Sequence, residues 1–310
     1  MLNILSSVSV KEELAKPLRQ LLKALVVAAT AVNDKLETAV GEQSVDFGQN
    51  ASGDFVSKED VTAQKIFSEA LKNSGLVKTL VSEESEFPIQ LGGSDYSVSL
   101  DPFDGSNAFK FGIPAGSIFC IFSGAETIEG FGGENAIAAG FFIYGRELEL
   151  VLCVKGQTYL LTGNNICPVK ELAIGERFLS VNLSNFGDWH SGWQNFFREF
   201  VLKSNAGHHH NQRWFGSLVT HTKTLIVSGG LFAYPQDNRD GFELGHLRLI
   251  YEAIPMALII ESLGGAGSDG QNRILTKIPT KTHEKTPLVL GEAPLVAQLE
   301  DYVSRAQNRE

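Results

Sequence analysis

Four apolar segments follow one another between residues 116 and 163, and they limit the fold more than any other feature of the chain. They read GSIFCIFSG, AIAAGFFIYG, ELELVLCVKG and QTYLLTG, and each ends at a glycine. Short apolar runs bounded by turn residues are typical of buried strands. The upstream segments LVKTLVSE and YSVSLD have the same character. We therefore expect successive strands joined by tight turns through this part of the chain.

Apolar residues at helical spacing predict helices on both sides of these strands. Upstream, one long helix starts near Lys11, with a kink at Pro17 as an open alternative. A second upstream helix has Ser57 as its N-cap and stops at Gly75. Downstream, the helical segments are DWHSGWQNFFREFVLKS, GSLVTHTKTLIVSGG, LRLIYEAIPMALIIESLGG and PLVAQLEDYVSRAQ, whereas FLSVNLS and GLFAYP have the character of strands.

This order of elements predicts an α+β or α/β layered sandwich with mixed sheets. Near residue 178 the predicted elements change from successive strands to alternating strands and helices. We expect an N-terminal subdomain over residues 1–177 and a C-terminal subdomain over residues 178–310. A cleft shared by two such units is a usual place for a small-molecule site.

Composition excludes several classes of function. The chain has 310 residues, of which 43% are hydrophobic and 20% are charged, and its net charge is −10. An acidic balance of this size argues against nucleic acid as a partner. No apolar run approaches the roughly 18 residues of a membrane helix, and the first residues lack the basic start of a signal peptide. We expect a cytoplasmic protein without a membrane partner, and an organellar location stays open if a transit segment has been removed.

The cysteines and the histidine tract give weaker signals. Cys120, Cys153 and Cys167 form no CxxC motif, so buried thiols in a reducing compartment are the main interpretation. The side chains of His208–His210 could contribute to a metal site, but three adjacent residues cannot all face one ion. A solvated turn is the main interpretation of that tract.

Acidic residues stand where predicted strands end. Glu83 and Glu84 end one strand, and Asp101 and Asp104 follow the next one in the string LDPFDGSN. The ends of adjacent strands are close in space, and carboxylates gathered there repel one another unless cations lie between them. Hard oxygen ligands of this kind favour Mg²⁺, Mn²⁺ or Ca²⁺. Asp54, Asp60 and Glu252 are further acidic candidates before or within predicted helices.

The residues after Asp101 favour a phosphate site beside the cations. Pro102 fixes the backbone, so the turn can direct the side chains of Asp101 and Asp104 and the Phe103 carbonyl to one point. The backbone N–H groups that start at Gly105 can then bind an anion. Cations on one side and amide donors on the other are what phosphoryl transfer requires. Taken alone, this string is an ordinary turn and the glutamate pair an ordinary solvated surface.

The ordered set of motifs resembles the sugar-bisphosphatase branch of the metal-dependent, lithium-sensitive phosphatases. That branch contains the fructose-1,6- and sedoheptulose-1,7-bisphosphatases. The matching pieces run in family order and are GDFVSKED (53–60), VSEES (81–85), LDPFDGS (100–106), GSIF (116–119), SVNLSN (180–185), RWFGS (213–217), GGLFAYP (229–235), HLRLIYEAIPMA (246–257) and ESLGG (261–265).

The resemblance implies a role for each matched position. The expected metal ligands, for two or three Mg²⁺ ions with Mn²⁺ as an alternative, are Glu83, Glu84, Asp101, the Phe103 carbonyl, Asp104 and Glu252. The expected acid–base residues around the attacking water are Asp54, Asp60 and Glu84. The expected substrate-binding residues are Gly105, Ser106, Asn182, Arg213, Trp214, Tyr234, His246 and Arg248. Arg213 matches a residue that the family donates across a subunit interface, so a homodimer or homotetramer is expected.

For several positions, a purely structural role stays open. Asp60 lies inside a helix and could be a solvated first-turn charge that the helix dipole favours. Trp214 and Tyr234 could be core aromatics, Arg248 could lie on a helix surface, and Asn182 could form a turn at a strand end. Only the ordered set of motifs favours the functional interpretation.

The chain also departs from the family in the pocket for the remote phosphate. His246 stands where fructose bisphosphatases carry a lysine, Trp214 replaces a tyrosine and thereby loses a hydroxyl donor, and QDNRDGFELG contains an insertion. VVAATAVNDKLE lacks the family's AMP-binding pattern. The segments FSGAETIEGFGGENAIAAG, LCVKG and the GSDG after ESLGG resemble the sedoheptulose enzymes more closely. We therefore expect hydrolysis of the 1-phosphate of a ketose bisphosphate, with sedoheptulose 1,7-bisphosphate preferred and an AMP-insensitive fructose 1,6-bisphosphatase as the alternative.

Two other functions stay open. A phosphatase for inositol phosphates or nucleotide phosphates would share DPxDG, but FAYP and LRLIYE count against it. A catalytically idle binding subunit is the alternative from another class, and the presence of all the acidic positions counts against it.

Overall fold

The computed structural model describes residues 15–38, 56–173, 178–202 and 211–308. Two of the positions discussed above, Asp54 and the His208–His210 tract, lie outside the described residues. Among the described residues, no helix combines the length and the apolar character that a membrane crossing requires.

The first half of the chain forms one eight-stranded sheet, in the order β2-β1-β3-β4-β5-β6-β7-β8. Its strands are β1 Val77–Ser82, β2 Ile89–Gln90, β3 Tyr96–Asp104, β4 Gly116–Ser123, β5 Ala136–Ile143, β6 Glu149–Val154, β7 Gln157–Thr162 and β8 Asn165–Val169. Strands β1 and β3 are parallel, and the other neighbours are antiparallel. The six apolar segments predicted as strands between residues 76 and 163 all lie in this sheet.

The second half builds a five-stranded sheet, in the order β10-β9-β11-β15-β13, and a separate two-stranded ribbon of β12 with β14. These strands are β9 Phe178–Ser180, β10 Asn211–Gln212, β11 Gly230–Tyr234, β12 Leu247–Arg248, β13 Gly265–Ser268, β14 Lys285–Thr286 and β15 Leu288–Glu292. Within the described residues, the α-helices are α1 Lys16–Thr38, α2 Lys58–Ser74, α3 Ser106–Phe109, α4 Ser191–Leu202, α5 Leu218–Ser228, α6 Ile254–Ser262 and α7 Ala293–Gln307.

Three apolar clusters show how the layers stack. The first joins α1 and α2 to one face of the eight-stranded sheet, for example through Leu25, Phe67 and Phe119. The second joins the opposite face of that sheet to α5, α6 and the five-stranded sheet. The third joins the far face of the five-stranded sheet to α4 and α7. The result is a sandwich of alternating helical and sheet layers, so the predicted fold class is confirmed, whereas the subdomain boundary at residues 177 and 178 stays a prediction.

One helix prediction is tested only in part, and another was wrong. The predicted start near Lys11 lies outside the described residues, and the described helix Lys16–Thr38 has Pro17 in its first turn, where a missing N–H costs nothing, so the alternative of a kink there is excluded. The segment LRLIYEAIPMALIIESLGG is not one helix. Leu247–Arg248 pairs as β12, Leu249–Ala253 forms a π-helical turn, and α6 begins only at Ile254. The strand pairing of β12 with β14 competes successfully with the helical pattern there.

Candidate active site

Parallel pairing brings the two acidic strand ends to the same edge of the eight-stranded sheet. Ser82, the last residue of β1, is level with Leu100 in β3. The Glu83 backbone N–H continues this pairing by donating to the Leu100 carbonyl oxygen at 3.1 Å. Because carboxyl ends of parallel neighbours share one edge, Glu83 and Glu84 lie beside the segment that carries Asp101.

A bulge in β3 brings its two aspartates to the same side. Residues three apart in a regular strand point to opposite faces. In β3, Asp101 is level with Ile118 and Asp104 with Gly116, so β3 contains one residue more than its partner. The Ser117 hydroxyl donates to the Pro102 carbonyl oxygen at 2.6 Å and thereby holds the bulge. The predicted strand therefore runs past Asp101 to Asp104.

Three carboxylates converge at this bulge. One carboxylate oxygen from each of Asp101, Asp104 and Glu252 lies within 4.8 Å of the other two, and all three residues are buried. Glu252 reaches the cluster from the π-helical turn, where its Oε2 atom accepts the Arg248 backbone N–H at 2.6 Å. Inserted π-helical turns occur frequently at functional sites.

The electrostatics of the cluster fit divalent cations. Burial raises the pKa of Asp101 well above its ordinary value, and the neighbouring carboxylates, Glu83 first among them, raise that pKa further. Like charges at this separation cannot all ionise in a buried site unless positive charge lies between them. Buried carboxylate oxygens are also the hard donors that Mg²⁺ and Mn²⁺ take up. The side chains present therefore match the requirements of a metal centre.

Asp104 is also fastened to the start of α5. Its carboxylate accepts the backbone N–H groups of Leu218 at 3.1 Å and Val219 at 2.9 Å, and the Ser217 hydroxyl at 3.1 Å. Burial raises the pKa of Asp104, and these three hydrogen bonds oppose that rise. Gly105 makes the approach feasible because its φ is +84° and a Cβ there would lie 2.7 Å from the Ser217 Cβ.

Asp60 is buried, which excludes the solvated first-turn interpretation. It forms a capping box with Ser57, in which the Ser57 N–H donates to Asp60 Oδ2 at 2.6 Å and the Asp60 N–H donates to Ser57 Oγ at 3.3 Å. Burial is the main cause that raises the pKa of Asp60 from 3.8 to about 6. A carboxyl with such a pKa exchanges protons near neutral pH, as a general base must.

A cavity of about 330 Å³ opens above the carboxylates. The predicted site residues that line it are Asp60, Glu83, Glu84, Asp101, Phe103, Asp104, Gly105, Ser106, Asn182, Trp214, Tyr234, His246, Arg248 and Glu252. The fold therefore brings the predicted residues into one site, although the segments that carry them lie far apart along the chain.

Part of the lining of the cavity is aromatic. The His246 ring is stacked between Tyr234, at 4.8 Å between ring centroids, and Phe242, at 5.0 Å. The Trp214 ring meets Tyr234 edge-on at 5.7 Å. Arg248 adds a positive charge to the lining. It is 2% exposed, which contradicts the helix-surface interpretation, and its Nη1 donates to the His246 carbonyl oxygen at 2.8 Å.

Two predicted substrate residues lie differently from the others. Asn182 caps the 3₁₀ turn Leu183–Asp188 through its side-chain oxygen, so it forms a turn and also lines the cavity. Arg213 is exposed and does not line the cavity. Its Nη1 donates to the Gln212 carbonyl oxygen at 2.9 Å, and its guanidinium lies over the Phe178 ring.

His221 lines the cavity, and the sequence prediction missed it. Its Nε2 atom accepts the backbone N–H groups of Phe215 at 3.2 Å and Gly216 at 3.3 Å, and it thereby fixes the RWFGS turn. Burial lowers the pKa of His221 to about 3, so the ring stays neutral and keeps this acceptor. A lone histidine in a helical pattern gave no signal of this role, because the loop it binds is recognised only in three dimensions.

Comparison with known proteins assigns the family. The model described as "Fructose-1-6-bisphosphatase, N-terminal domain" matches residues 3–166, and that described as "Fructose-1-6-bisphosphatase, C-terminal domain" matches residues 174–304. A class 1 fructose-1,6-bisphosphatase of Nitrobacter hamburgensis is 35% identical to this chain, over 92% of this chain and 88% of the relative. One from Bradyrhizobium is 34% identical, over 94% and 88%.

Solved structures agree with the sequence relatives. The holo form of Leishmania major fructose-1,6-bisphosphatase superposes with a TM-score of 0.86 and 27% identity, over 96% of this chain and 97% of that one. The T-state structure of the same enzyme gives a TM-score of 0.80 and 26% identity, over 92% and 93%.

Fold and site together define a phosphoric monoester hydrolase of the metal-dependent kind. The chain belongs to the fructose-1,6-bisphosphatase family of the lithium-sensitive phosphatases, whose members are sugar bisphosphatases.

Proposed function

We propose that this protein hydrolyses the 1-phosphate of fructose 1,6-bisphosphate and releases fructose 6-phosphate and phosphate. The observation that carries the proposal is the match to class 1 fructose-1,6-bisphosphatases over about nine-tenths of both chains. These relatives favour the fructose alternative and give no support to the preference for sedoheptulose 1,7-bisphosphate that the sequence suggested. His246 and Trp214 then belong to a remote-phosphate pocket that differs in detail and not in substrate.

The proposed metal ligands are the carboxylates of Glu83, Glu84, Asp101, Asp104 and Glu252, with the Phe103 carbonyl, and the proposed ion is Mg²⁺. When bound, such ions neutralise the phosphate and polarise its oxygen atoms. The carboxylates of Asp101, Asp104 and Glu252 already lie together, so they lose little conformational freedom when an ion binds.

The chain's own residues then orient the phosphate and move one proton. Gly105 and Ser106 hold the 1-phosphate beside the carboxylates. Asp60, together with Glu84, accepts a proton from the water that attacks phosphorus opposite the C1 oxygen. The bond from phosphorus to the C1 oxygen breaks, its electron pair goes to that oxygen, and the oxygen takes up a proton from solvent, while Asp60 later returns its proton to solvent. Arg248 and His246 bind the far end of the substrate.

Asp60→Asn should lower kcat by a factor of about 100 or more. In the wild type we expect kcat/KM to rise with pH through about 6, because the base must lose its proton, and this step should be absent in the variant. Glu69→Gln, an exposed change on the same helix, is the matched control and should keep both the rate and the pH step. An unchanged pH step in Asp60→Asn would remove Asp60 from the mechanism.

Asp60→Asn should lower turnover, but it should raise the unfolding free energy relative to the wild type as the pH rises. The pKa of Asp60 is higher in the folded chain than in the unfolded chain. The contribution of Asp60 to the stability of the protein is therefore fully present below pH 3.8 and is lost as the pH rises through about 6. Asparagine removes this loss while its oxygen can still accept the Ser57 N–H. Relative to wild type, the unfolding free energy of metal-free Asp60→Asn should therefore rise by about 2.5 kcal/mol from pH 4 to pH 8. Denaturant titration at both pH values measures it.

Arg248→Met should raise the KM for fructose 1,6-bisphosphate by a factor of about 10 to 100, because a charge-assisted hydrogen bond to the remote phosphate is lost. Turnover of fructose 1-phosphate, which has no remote phosphate, should change less than about threefold. Arg273→Met is the matched control, since that arginine pairs with Glu261 and does not line the cavity. Equal losses on both substrates would contradict a role in binding the remote phosphate.

A comparison of kcat/KM tests the substrate assignment. Fructose 1,6-bisphosphate, sedoheptulose 1,7-bisphosphate and inositol 1-phosphate should be assayed side by side with Mg²⁺. We expect the fructose compound to be preferred and the inositol compound to react least. A clear preference for the heptulose would restore the first expectation and make His246 and Trp214 the residues that select it.

We further propose a homo-oligomer in a cytoplasmic setting. Arg213 is exposed and lies outside its own chain's cavity, as expected for a residue that reaches the site of a neighbouring subunit. Sedimentation at several concentrations tests this point. Arg213→Ala should raise the KM without changing the mass, whereas a monomeric and fully active wild type would contradict it.

A further inference from the structure

One histidine outside the cavity connects the two acidic segments. The Nε2 atom of His283 lies 3.2 Å from the Ser85 carbonyl oxygen, and its Nδ1 atom lies 2.8 Å from the Tyr251 hydroxyl. Ser85 directly follows Glu83 and Glu84, and Tyr251 directly precedes Glu252. One imidazole ring thus contacts the turn after β1 and the π-helical turn, which are far apart along the chain.

Hydrogen-bond chemistry gives this bridge a direction. The Ser85 carbonyl oxygen can only accept, so Nε2 of His283 carries the hydrogen. Nδ1 of the neutral ring is then an acceptor, and the Tyr251 hydroxyl donates to it. Tyr251 is fully buried, and its hydroxyl lies within hydrogen-bond distance of Nδ1.

Repulsion between carboxylates acts on both bridged segments. The carboxylates that they carry lie beside Asp101 in a buried site, and like charges there repel one another. The turn after β1 is closed by the Ser85 N–H donating to the Ser82 carbonyl oxygen at 3.2 Å, and Gln64 Nε2 of α2 donates to the Ser85 hydroxyl at 3.1 Å. Neither bond reaches the π-helical turn. The bridge through His283 adds a contact that opposes separation of the two segments before an ion binds.

We propose that His283 is a positioning residue that holds the Glu83–Glu84 turn and the Glu252 turn at the separation a divalent cation requires. The proposal rests on the proposed metal site. Residues that orient metal ligands through hydrogen bonds typically change metal affinity by about 10- to 100-fold when they are replaced. His283 should therefore set the affinity for the ion more than the rate at saturating ion.

Calorimetric titration with Mn²⁺ alone, without substrate, is the direct test. His283→Phe keeps a ring against Tyr251 but has no nitrogen, and we expect its Mn²⁺ affinity to fall by about 10- to 100-fold. His283→Gln can place an amide donor near the position of Nε2 and should recover part of the affinity. At saturating Mg²⁺ the kcat of both variants should stay within about threefold of the wild type, whereas the Mg²⁺ concentration for half-maximal rate should rise.

Tyr251→Phe completes the design. If the bridge acts as one unit, the double variant His283→Phe/Tyr251→Phe should bind Mn²⁺ no more weakly than His283→Phe alone. Equal Mn²⁺ affinity of wild type and His283→Phe, both folded by circular dichroism, would overturn the positioning role. A wild type that binds no Mn²⁺ would instead overturn the proposed metal site itself, so the two failures are distinguishable.

Discussion

Asp104→Asn is expected to lower turnover by a factor of about 1,000 or more while the chain still folds. The carboxylate is one of three whose oxygen atoms lie within 4.8 Å, and an amide cannot supply the same charge to a cation. An asparagine oxygen can still accept the Leu218 N–H, so the start of α5 keeps one of its bonds to this side chain. Phosphate release and circular dichroism of the same preparation measure the two effects.

Ser217→Ala separates the two roles of Asp104. This change removes the hydroxyl that donates to Asp104 at 3.1 Å and that caps α5, but it leaves the carboxylate in place. We expect a loss of about 1 kcal/mol in stability and less than about tenfold in turnover. If Ser217→Ala lost as much turnover as Asp104→Asn, the carboxylate would act only by holding the helix, and the metal assignment would be wrong.

Glu252→Gln should raise the stability of the metal-free protein but weaken its stabilisation by Mg²⁺. Without metal, the loss of one buried negative charge relieves repulsion on Asp101 and Asp104, so the unfolding free energy should rise by about 1 kcal/mol. A glutamine oxygen can keep the hydrogen bond from the Arg248 N–H. Mg²⁺ should then stabilise the variant far less than the wild type, and the Mg²⁺ concentration for half-maximal rate should rise by about 100-fold.

Glu261→Gln is the matched control for this change. Glu261 lies in α6, the helix that follows the π-helical turn, and pairs with Arg273 away from the cavity. Thermal unfolding with and without Mg²⁺ should give the wild-type response in this variant. A full Mg²⁺ response in Glu252→Gln would exclude Glu252 as a ligand.

The sequence predicted the parts of the fold that depend on local patterns. The apolar segments from residue 77 to residue 162 became strands because their length and their turn residues leave no other way to bury them. Ser57 caps its helix as predicted, because the capping box is a local arrangement. The convergence of Glu83 with Asp101 was predictable once both were placed at the ends of neighbouring strands.

The parts that failed depend on tertiary pairing. Arg248 was assigned to a helix because LRLIYE has helical spacing, but the pairing of β12 with β14 draws it into a strand. Gly265–Ser268 has no strand pattern and becomes β13 only because β15 pairs with it. His221 and His283 bind backbone groups that no local pattern connects to them. Such contacts arise from the packed fold and cannot be derived from the spacing of residues.

The most direct test of the central claim is a ³¹P NMR time course of fructose 1,6-bisphosphate with metal-free protein, before and after Mg²⁺ is added. No change is expected before addition. After addition, inorganic phosphate should appear while the 6-phosphate signal is retained. Release at the same rate without Mg²⁺, loss of the 6-phosphate, or no release with Mg²⁺ would each contradict hydrolysis of the 1-phosphate at the carboxylate cluster of Asp101, Asp104 and Glu252.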